Sequence, residues 1–92
     1  MIRSFADRDT RALFEGRRVR RFEAIHEPAE RRLQVLASAR GLDDLRALRS
    51  NRLEALSGDR QGQFSIRINL QWRICFRWRD GDAWDVVIVD YH

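Results

Sequence analysis

The sequence predicts an α+β fold in which N-terminal helices pack on a twisted antiparallel β-sheet. Apolar residues follow helical spacing in the first half of the chain and alternate strictly with polar residues in the second half. The tripeptide at residues 80–82 (Asp-Gly-Asp) joins the last two alternating segments, as expected for antiparallel neighbours. The order of helices followed by a meander favours one helical layer on one sheet, within a single domain over residues 1–92.

The N-terminal residues are predicted to form a short strand followed by a short helix. Residues 2–5 could form a short first strand, with apolar residues at both ends, Ile2 and Phe5. Asp7 is a suitable N-cap for a helix that ends near Gly16, because glycine is favoured just past a helix end.

A second helix is predicted from Pro28 to about Arg40. Proline suits the first turn of a helix, and Gly41 supplies the stop signal. His26 is expected to be exposed just before this helix. A further helical turn that ends before Ser50 is indicated by the spacing of three leucines, Leu42, Leu45 and Leu48.

Three strands are predicted in the second half, over residues 64–68, 72–78 and 83–90. If the apolar faces of the first two coincide, their connection must be a three-residue or bulged turn. The hairpin at residues 80–82 then places Arg73 opposite Ile88 or Val89. Residues 90–92 therefore emerge beside Gln71, Trp72 and Arg73 at one end of the sheet.

The charge of the chain favours a polyanionic partner such as nucleic acid. It has 18 basic residues, all arginine, against 14 acidic ones, with a formal charge of +4. Arginine forks match phosphate geometry and stack on bases. The densest run could bind RNA phosphates, meet an acidic protein partner or simply face water, and it comprises Arg17, Arg18, Arg20 and Arg21.

Several classes of function are disfavoured. The single cysteine, Cys75, excludes an internal disulfide and a thiolate metal cluster, and residues 80–82 fit a turn better than a cation loop. No metal site or cofactor is predicted. No secretory signal or membrane span is recognisable, so we expect a cytoplasmic protein. The tryptophans are expected in the core rather than stacked on bases, and they are Trp72, Trp78 and Trp84.

The convergent end of the sheet carries groups that suit metal-independent RNA cleavage. That reaction needs a base for the 2′-hydroxyl, an acid for the leaving oxygen and a cation for the phosphorane. His92 and Asp90 are candidates for proton transfer, Tyr91 for stacking or proton donation, and Arg73 for a bidentate grip on phosphate. Alternatively, the histidine is a plain surface residue and Asp90 with Arg73 forms a simple ion pair.

Specific motifs extend over nearly the whole chain. They are Leu53-Glu54-Ala55-Leu56-Ser57-Gly58-Asp59-Arg60, then Gly62, Phe64-Ser65-Ile66, Trp72-Arg73-Ile74 and Asp90-Tyr91-His92, together with the opening Met1-Ile2-Arg3-Ser4-Phe5 and Leu13-Phe14-Glu15. With these motifs the chain resembles the HigB branch of the RelE/ParE toxin superfamily.

This resemblance implies both a fold and an activity. It implies the RelE-like microbial RNase fold and a ribosome-dependent endoribonuclease that cuts messenger RNA in the ribosomal A site. Cleavage would proceed by 2′-hydroxyl attack and leave a 2′,3′-cyclic phosphate, without metal or cofactor. A helix-turn-helix, HigA-like antitoxin would neutralise the toxin, and operator DNA would be reached only through that antitoxin.

Arg73, Asp90, Tyr91 and His92 match functional positions of the family. Gln71 stands where some relatives have a catalytic asparagine, and it is kept as a candidate catalytic residue.

The chain departs from the family in its "L-H-P-L-K-G-D-R" element. Glu54 and Ser57 replace the histidine and the lysine of that element. Glu54 could accept the proton instead if it is buried. Arg52 or Arg60 could replace the lysine charge, and both join Arg67 as candidate RNA-binding residues.

Two alternatives of other classes follow from the same residues. Because the lysine is missing, the chain could be a catalytically weak or inactive module that acts with its antitoxin in operator autoregulation. It could also be a general RNA-binding protein, whose affinity would fall steeply with salt.

Overall fold

The computed structural model describes residues 1–90, so Tyr91 and His92 lie outside the described residues. Its helical segments are α1 (Arg8–Phe14), the 3₁₀ helix Arg20–Ile25, α2 (His26–Ser38), α3 (Leu42–Ala47) and the 3₁₀ helices Arg49–Asn51 and Gly58–Arg60. Its strands are β1 (Glu54–Ala55), β2 (Phe64–Arg67), β3 (Trp72–Arg79) and β4 (Asp82–Asp90). The strands form one antiparallel sheet in the order β1-β2-β3-β4, which confirms the predicted α+β class.

The turn between β2 and β3 has the predicted length. The backbone amide of Ile68 donates to the carbonyl of Trp72 at 2.9 Å, which leaves residues 69–71 as a three-residue turn. The side chain of Asn69 accepts hydrogen bonds from the amides of Gln71 and Trp72, both at 2.8 Å. This local bonding fixes the turn and keeps the apolar faces of both strands on the same side.

The hairpin between β3 and β4 is also the one predicted. Asp80 and Gly81 have φ angles of 54° and 79°, as a two-residue type I′ turn requires. The pairing that follows sets Arg73 opposite Val89 and Trp72 opposite Asp90. The predicted register is therefore confirmed as far as Asp90.

Residues 2–5 do not form the predicted strand. Instead Ile2 and Phe5 make isolated parallel bridges to Ala83 and Val86 of β4. In that part of β4 the register shifts between Cys75 and Arg77, and two residues of β4 oppose one of β3. This bulge interrupts the regular ladder of β4, so the N-terminal segment pairs only at separate points.

The helices cover one face of the sheet. The side chain of Asp7 accepts from the amide of Thr10 at 2.8 Å, which confirms the predicted N-cap of α1. The hydroxyl of Thr10 in turn accepts from the amide of Ile88 at 3.0 Å and ties α1 to β4. The core lies between the two layers, and its large buried members include Leu13, Phe22, Leu33, Leu36, Leu45, Ile66, Ile74, Phe76 and Ile88.

The second helix is shifted relative to its prediction. It ends at Ser38, and the amide of Arg40 donates to the side chain of Asp44 instead of continuing the helix. It begins at His26, because the 3₁₀ helix Arg20–Ile25 leads directly into it. For the same reason His26 is 8% exposed, and the expectation of an exposed histidine is wrong.

The tryptophans differ in their positions. Trp72 and Trp78 pack against the core as expected, and Phe22 meets Trp72 edge-on with ring centroids 5.7 Å apart. Trp84 pairs with Arg77 and therefore lies on the opposite face of the sheet. The guanidinium of Arg79 lies 4.3 Å from its ring centroid, so the core assignment of Trp84 is wrong. Among residues 1–90, no helix has the length and apolar character needed to cross a bilayer.

Candidate functional site

Arg73 is a buried cation on the sheet face that points away from the helices. Its side chain leaves β3 between core-facing neighbours on that strand, and the residue is only 4% exposed. Its Nε donates to the hydroxyl of Ser65 at 2.7 Å, and Nη2 donates to the carbonyl of Arg52 at 2.6 Å. Nη1 lies 3.4 Å from Oε1 of Glu54. These contacts hold the guanidinium in one orientation.

The contacts of Arg73 bear on the bidentate role predicted for it. A grip on phosphate through Nε and Nη2 would compete with Ser65 and the carbonyl of Arg52. As it is held, the guanidinium is a fixed positive charge in a largely desolvated position, where electrostatic interactions are strong.

Glu54 lies beside this cation without being buried. Its side chain is 52% exposed, so the burial on which its predicted role as a base depends is absent. It shares a cavity of about 200 Å³ with Ser57 and Arg60. Arg60 donates to Oε1 of Gln63 at 3.2 Å, within the same loop. Arg52 and Arg60 are the two candidates to replace the family lysine, whose position is occupied by Ser57. Of these two, Arg60 is the one that shares a cavity with Ser57.

Arg67 lies directly opposite Arg73 in the pairing of β2 with β3. Paired residues project to the same face, so two guanidinium groups are carried side by side. Ser65 and Cys75 are the next pair on this face, and burial raises the pKa of the Cys75 thiol. A reactive thiolate is therefore not part of the site.

The other predicted groups lie at the end of the sheet. Asp90 pairs with Trp72, and its Oδ2 accepts a hydrogen bond from Nε2 of Gln71 at 3.1 Å. By strand alternation Asp90 leaves the sheet on the face of Trp72, whereas Arg73 leaves it on the other face. The predicted roles of Tyr91 and His92 fall outside the described residues.

The basic run lies in the helical layer and is partly neutralised. Arg17 pairs with Glu15 at 2.9 Å, and Arg18 lies 3.4 Å from Glu23. The remaining members are Arg20, which is exposed, and Arg21, which contacts Asp7 and Asp9 at 3.0 and 2.8 Å. These exposed pairs leave the run open to other partners, since such pairs contribute little stability.

Sequence reasoning missed Ser65 and the backbone of Arg52. The position of Ser65 could have been predicted from the alternation of β2 and β3, which puts Ser65 on the same face of the sheet as Arg73. No local pattern predicts the approach of the Arg52 carbonyl, because a loop brings it there. Within residues 1–90, no cluster of three or more His, Cys, Asp or Glu side chains is placed to hold a metal ion.

The fold and this face define a small basic α+β domain with a fixed, buried cation on the sheet face away from the helices. Residues 3–92 match the family described as RelE-like toxin of type II toxin-antitoxin system HigB. The chain therefore belongs to this family of toxins. Membership implies an antitoxin as a partner.

Two relatives are similar over different lengths. The protein named Toxin HigB-1 of Vibrio cholerae serotype O1 is 42% identical over 60 residues, which are 65% of this chain and 63% of that protein. The chain thus matches less than two thirds of the length of that relative. The protein named Endoribonuclease HigB of Proteus vulgaris is 33% identical over 97 aligned positions, covering 100% of both chains.

Proposed function

We propose that this chain, as a single toxin domain, is a ribosome-dependent endoribonuclease that cuts messenger RNA in the cytoplasm without a metal. The observation that carries the proposal is the pair of arginines Arg67 and Arg73 on one sheet face, of which Arg73 is buried and fixed. The Proteus vulgaris relative is named an endoribonuclease, which supports the same type of activity here.

The proposed reaction is attack of the RNA 2′-hydroxyl on the neighbouring phosphorus. A base removes the 2′-proton, O2′ bonds to phosphorus, and the bond from phosphorus to O5′ breaks as an acid protonates that oxygen. The products are a 2′,3′-cyclic phosphate and a 5′-hydroxyl. Arg73 stabilises the additional negative charge of the phosphorane from its fixed position, and the half-buried Arg67 offers its guanidinium to a phosphate.

Proton transfer is assigned to the end of the sheet, with alternatives kept open. Asp90 and His92 are the candidates for base and acid, and Tyr91 is the candidate for stacking or proton donation. Gln71 holds the carboxylate of Asp90 by a hydrogen bond at 3.1 Å, which orients it. Glu54 is kept as the alternative base on position alone, because its exposed carboxylate is accessible to RNA next to Arg73, although it lacks the burial that would make it a stronger base.

The proposal includes the partners that such a toxin needs. The ribosome presents the messenger RNA in its A site, and a helix-turn-helix antitoxin of the HigA type neutralises the toxin. Operator DNA is reached only through that antitoxin. The run at residues 17–21 and Arg60 supply further positive charge for ribosomal or messenger RNA.

A catalytically inactive binding module is the second candidate. Two observations favour it: Ser57 stands where the family carries a lysine, and three nitrogens of Arg73 already contact protein groups. Such a module would bind its antitoxin and take part in operator control without cutting RNA.

Mapping of transcript ends during active translation tests the proposal. Induced parent protein should create new ends within translated codons, and His92→Ala should create none. Arg31→Gln, an exposed change in α2, is the control and should cut as the parent does. Absence of new ends from folded, abundant parent protein would contradict the proposal and favour the binding module.

The same assay separates the candidate bases. Asp90→Asn and Glu54→Gln each remove a carboxylate with little change in size. Full activity of Glu54→Gln would exclude Glu54 as the base, and full activity of Asp90→Asn would exclude Asp90.

A further inference from the structure

A second basic cavity adjoins the face of Arg73. It has a volume of about 470 Å³ and is lined by Arg46, Leu48, Arg49, Ser50, Arg52 and Leu53. Three guanidinium groups and a hydroxyl thus surround two leucines, and no carboxylate lines the cavity. Leu48 is 45% exposed, so an apolar surface is accessible among the charges. The volume is in the range of about 300–1,000 Å³ that is usual for small-ligand sites.

The loop that forms this cavity, residues 48–53, is anchored to the protein interior by Asn51. Asn51 is fully buried, its Nδ2 donates to the carbonyl of Leu45 at 3.0 Å, and its Oδ1 accepts from Arg32 at 2.5 Å. The amide of Asn51 also donates to the carbonyl of Leu48 at 2.9 Å. A loop that is ordered before binding loses little conformational entropy when a ligand arrives.

Arg52 connects the cavity with the candidate site. Its φ angle is 47°, a left-handed conformation that is uncommon for arginine. This conformation presents its carbonyl to Nη2 of Arg73 at 2.6 Å, while its side chain lines the cavity. The wall of the cavity and the fixed cation are therefore in direct contact.

The charges of the cavity are available to a ligand. Arg46 pairs with Asp43 at 2.7 Å, but both side chains are exposed, so this pair is weak. Among the described residues, no side-chain hydrogen bond or ion pair is recorded for Arg49 or Arg52. A phosphate can therefore be bound without breaking a buried interaction.

We infer that this cavity binds one nucleotide of the RNA that flanks the cut, with its phosphate on Arg49 and Arg52 and its base against Leu48. The inference rests on the proposed function. Arginine suits phosphate through its fork and stacks on bases, and an apolar side chain accepts the face of any base. With two of its arginines on the phosphate and an apolar side chain against the base, the subsite is expected to accept a single-stranded segment of any sequence.

The test measures binding of RNA that cannot be cleaved. The probes are fluorescent 2′-O-methyl RNAs of about six and about three nucleotides, and the readout is anisotropy at several salt concentrations. The double variant Arg49→Gln/Arg52→Asn removes two charges, and asparagine tolerates the left-handed backbone at position 52. The matched control, Arg8→Gln/Arg31→Gln, removes two exposed charges from α1 and α2.

The expected result is specific to the longer RNA. The double variant should lower the salt slope for the hexamer by about 0.7, because Arg49 and Arg52 together hold one phosphate and each phosphate neutralised on single-stranded RNA contributes about 0.7. The trimer and the control variant should show no such change. Leu48→Gln should weaken hexamer binding several-fold at an unchanged slope, because it removes an apolar contact and no charge.

Two results would overturn the inference. One is a double variant that binds the hexamer with the affinity and slope of the parent. The other is a double variant that keeps RNA binding but no longer co-purifies with the co-expressed antitoxin, since the cavity would then bind protein. Because the assay needs no cleavage, loss of hexamer binding supports the subsite even if the parent cuts no transcripts.

Discussion

Arg67 and Arg73 face each other across neighbouring strands on the same side of the sheet. Like charges placed directly opposite in a sheet are destabilising. Glu54 partly compensates Arg73, because its carboxylate lies 3.4 Å from Nη1. We therefore expect the pair to carry an electrostatic cost in the free protein, which a bound phosphate would relieve.

Replacing Arg67 should raise stability and lower RNA affinity together. Arg67→Gln removes the like-charge contact, so the free energy of unfolding should rise by about 0.2–1 kcal/mol. The salt slope for RNA binding should fall by about 0.7, as one phosphate contact is lost. Urea denaturation and anisotropy measure the two effects. A variant that is less stable than the parent, or that binds RNA equally well, would contradict the proposed role of the pair.

Replacing Arg73 should affect both fold and activity. Arg73→Ala should slow cleavage by a factor of about 10²–10³ through loss of one preorganised charge. It should also lower the free energy of unfolding by about 1–3 kcal/mol, because the hydroxyl of Ser65 and the carbonyl of Arg52 lose their donor. The measurements are single-turnover cleavage on programmed ribosomes and urea denaturation.

Ser65→Ala separates the two effects, because it removes a partner of Arg73 and keeps the charge. It should lower stability by about 1 kcal/mol and retain most of the cleavage rate. If Ser65→Ala were as inactive as Arg73→Ala, the cleavage rate would depend on the orientation of the Arg73 guanidinium and not on its charge alone.

Asp82 should make stability dependent on acid pH. The hydrogen bond from Arg3 at 2.9 Å lowers the pKa of this carboxyl. Because the folded pKa is lower than the unfolded one, the stabilisation is fully present above the usual pKa of Asp, about 3.9, and is lost as pH falls through the folded value. The urea midpoint of the parent should therefore fall in this acid range more than that of Asp82→Asn. Parallel curves for the two proteins would exclude this contribution.

Cys75 should be inert in the folded protein. Burial raises the pKa of its thiol, and the residue is 0% exposed, so little thiolate forms at neutral pH. Alkylation by iodoacetamide at pH 7.5 should occur only after unfolding in urea, and mass spectrometry gives the rate in each state. Labelling of the native protein at the rate of a free thiol would show that this face opens.

The sheet was predictable because its signals are local and periodic. Alternation in β2 and β3 and the turn at Asp80-Gly81 were sufficient to place Arg73 opposite Ile88 or Val89, and the bulge between Cys75 and Arg77, which has no local signal, selects Val89. The 3₁₀ helix Arg20–Ile25 has no comparable period, so the start of α2 was misplaced. β1 has two residues, Glu54 and Ala55, and it exists only through its pairing with β2.

The site was predictable in part. The alternation of β3 puts Arg73 on the face away from the core, but it does not predict how far the side chain is buried there. Its burial results from three long-range contacts, to Ser65, Glu54 and the backbone of Arg52, which no local pattern contains. The exposure of Glu54 likewise depends on the loop that follows it.

The parallel bridges between the N-terminal segment and β4 have a consequence for biogenesis. The amide of Asp85 donates to the hydroxyl of Ser4 across 81 positions in sequence, and Ile88 reaches Thr10 across 78. Contacts of such long range form late and slow folding. Until β4 has left the exit tunnel, a nascent chain cannot complete this fold. The N-terminal segment and α1 therefore reach their final pairing only after β4 is released.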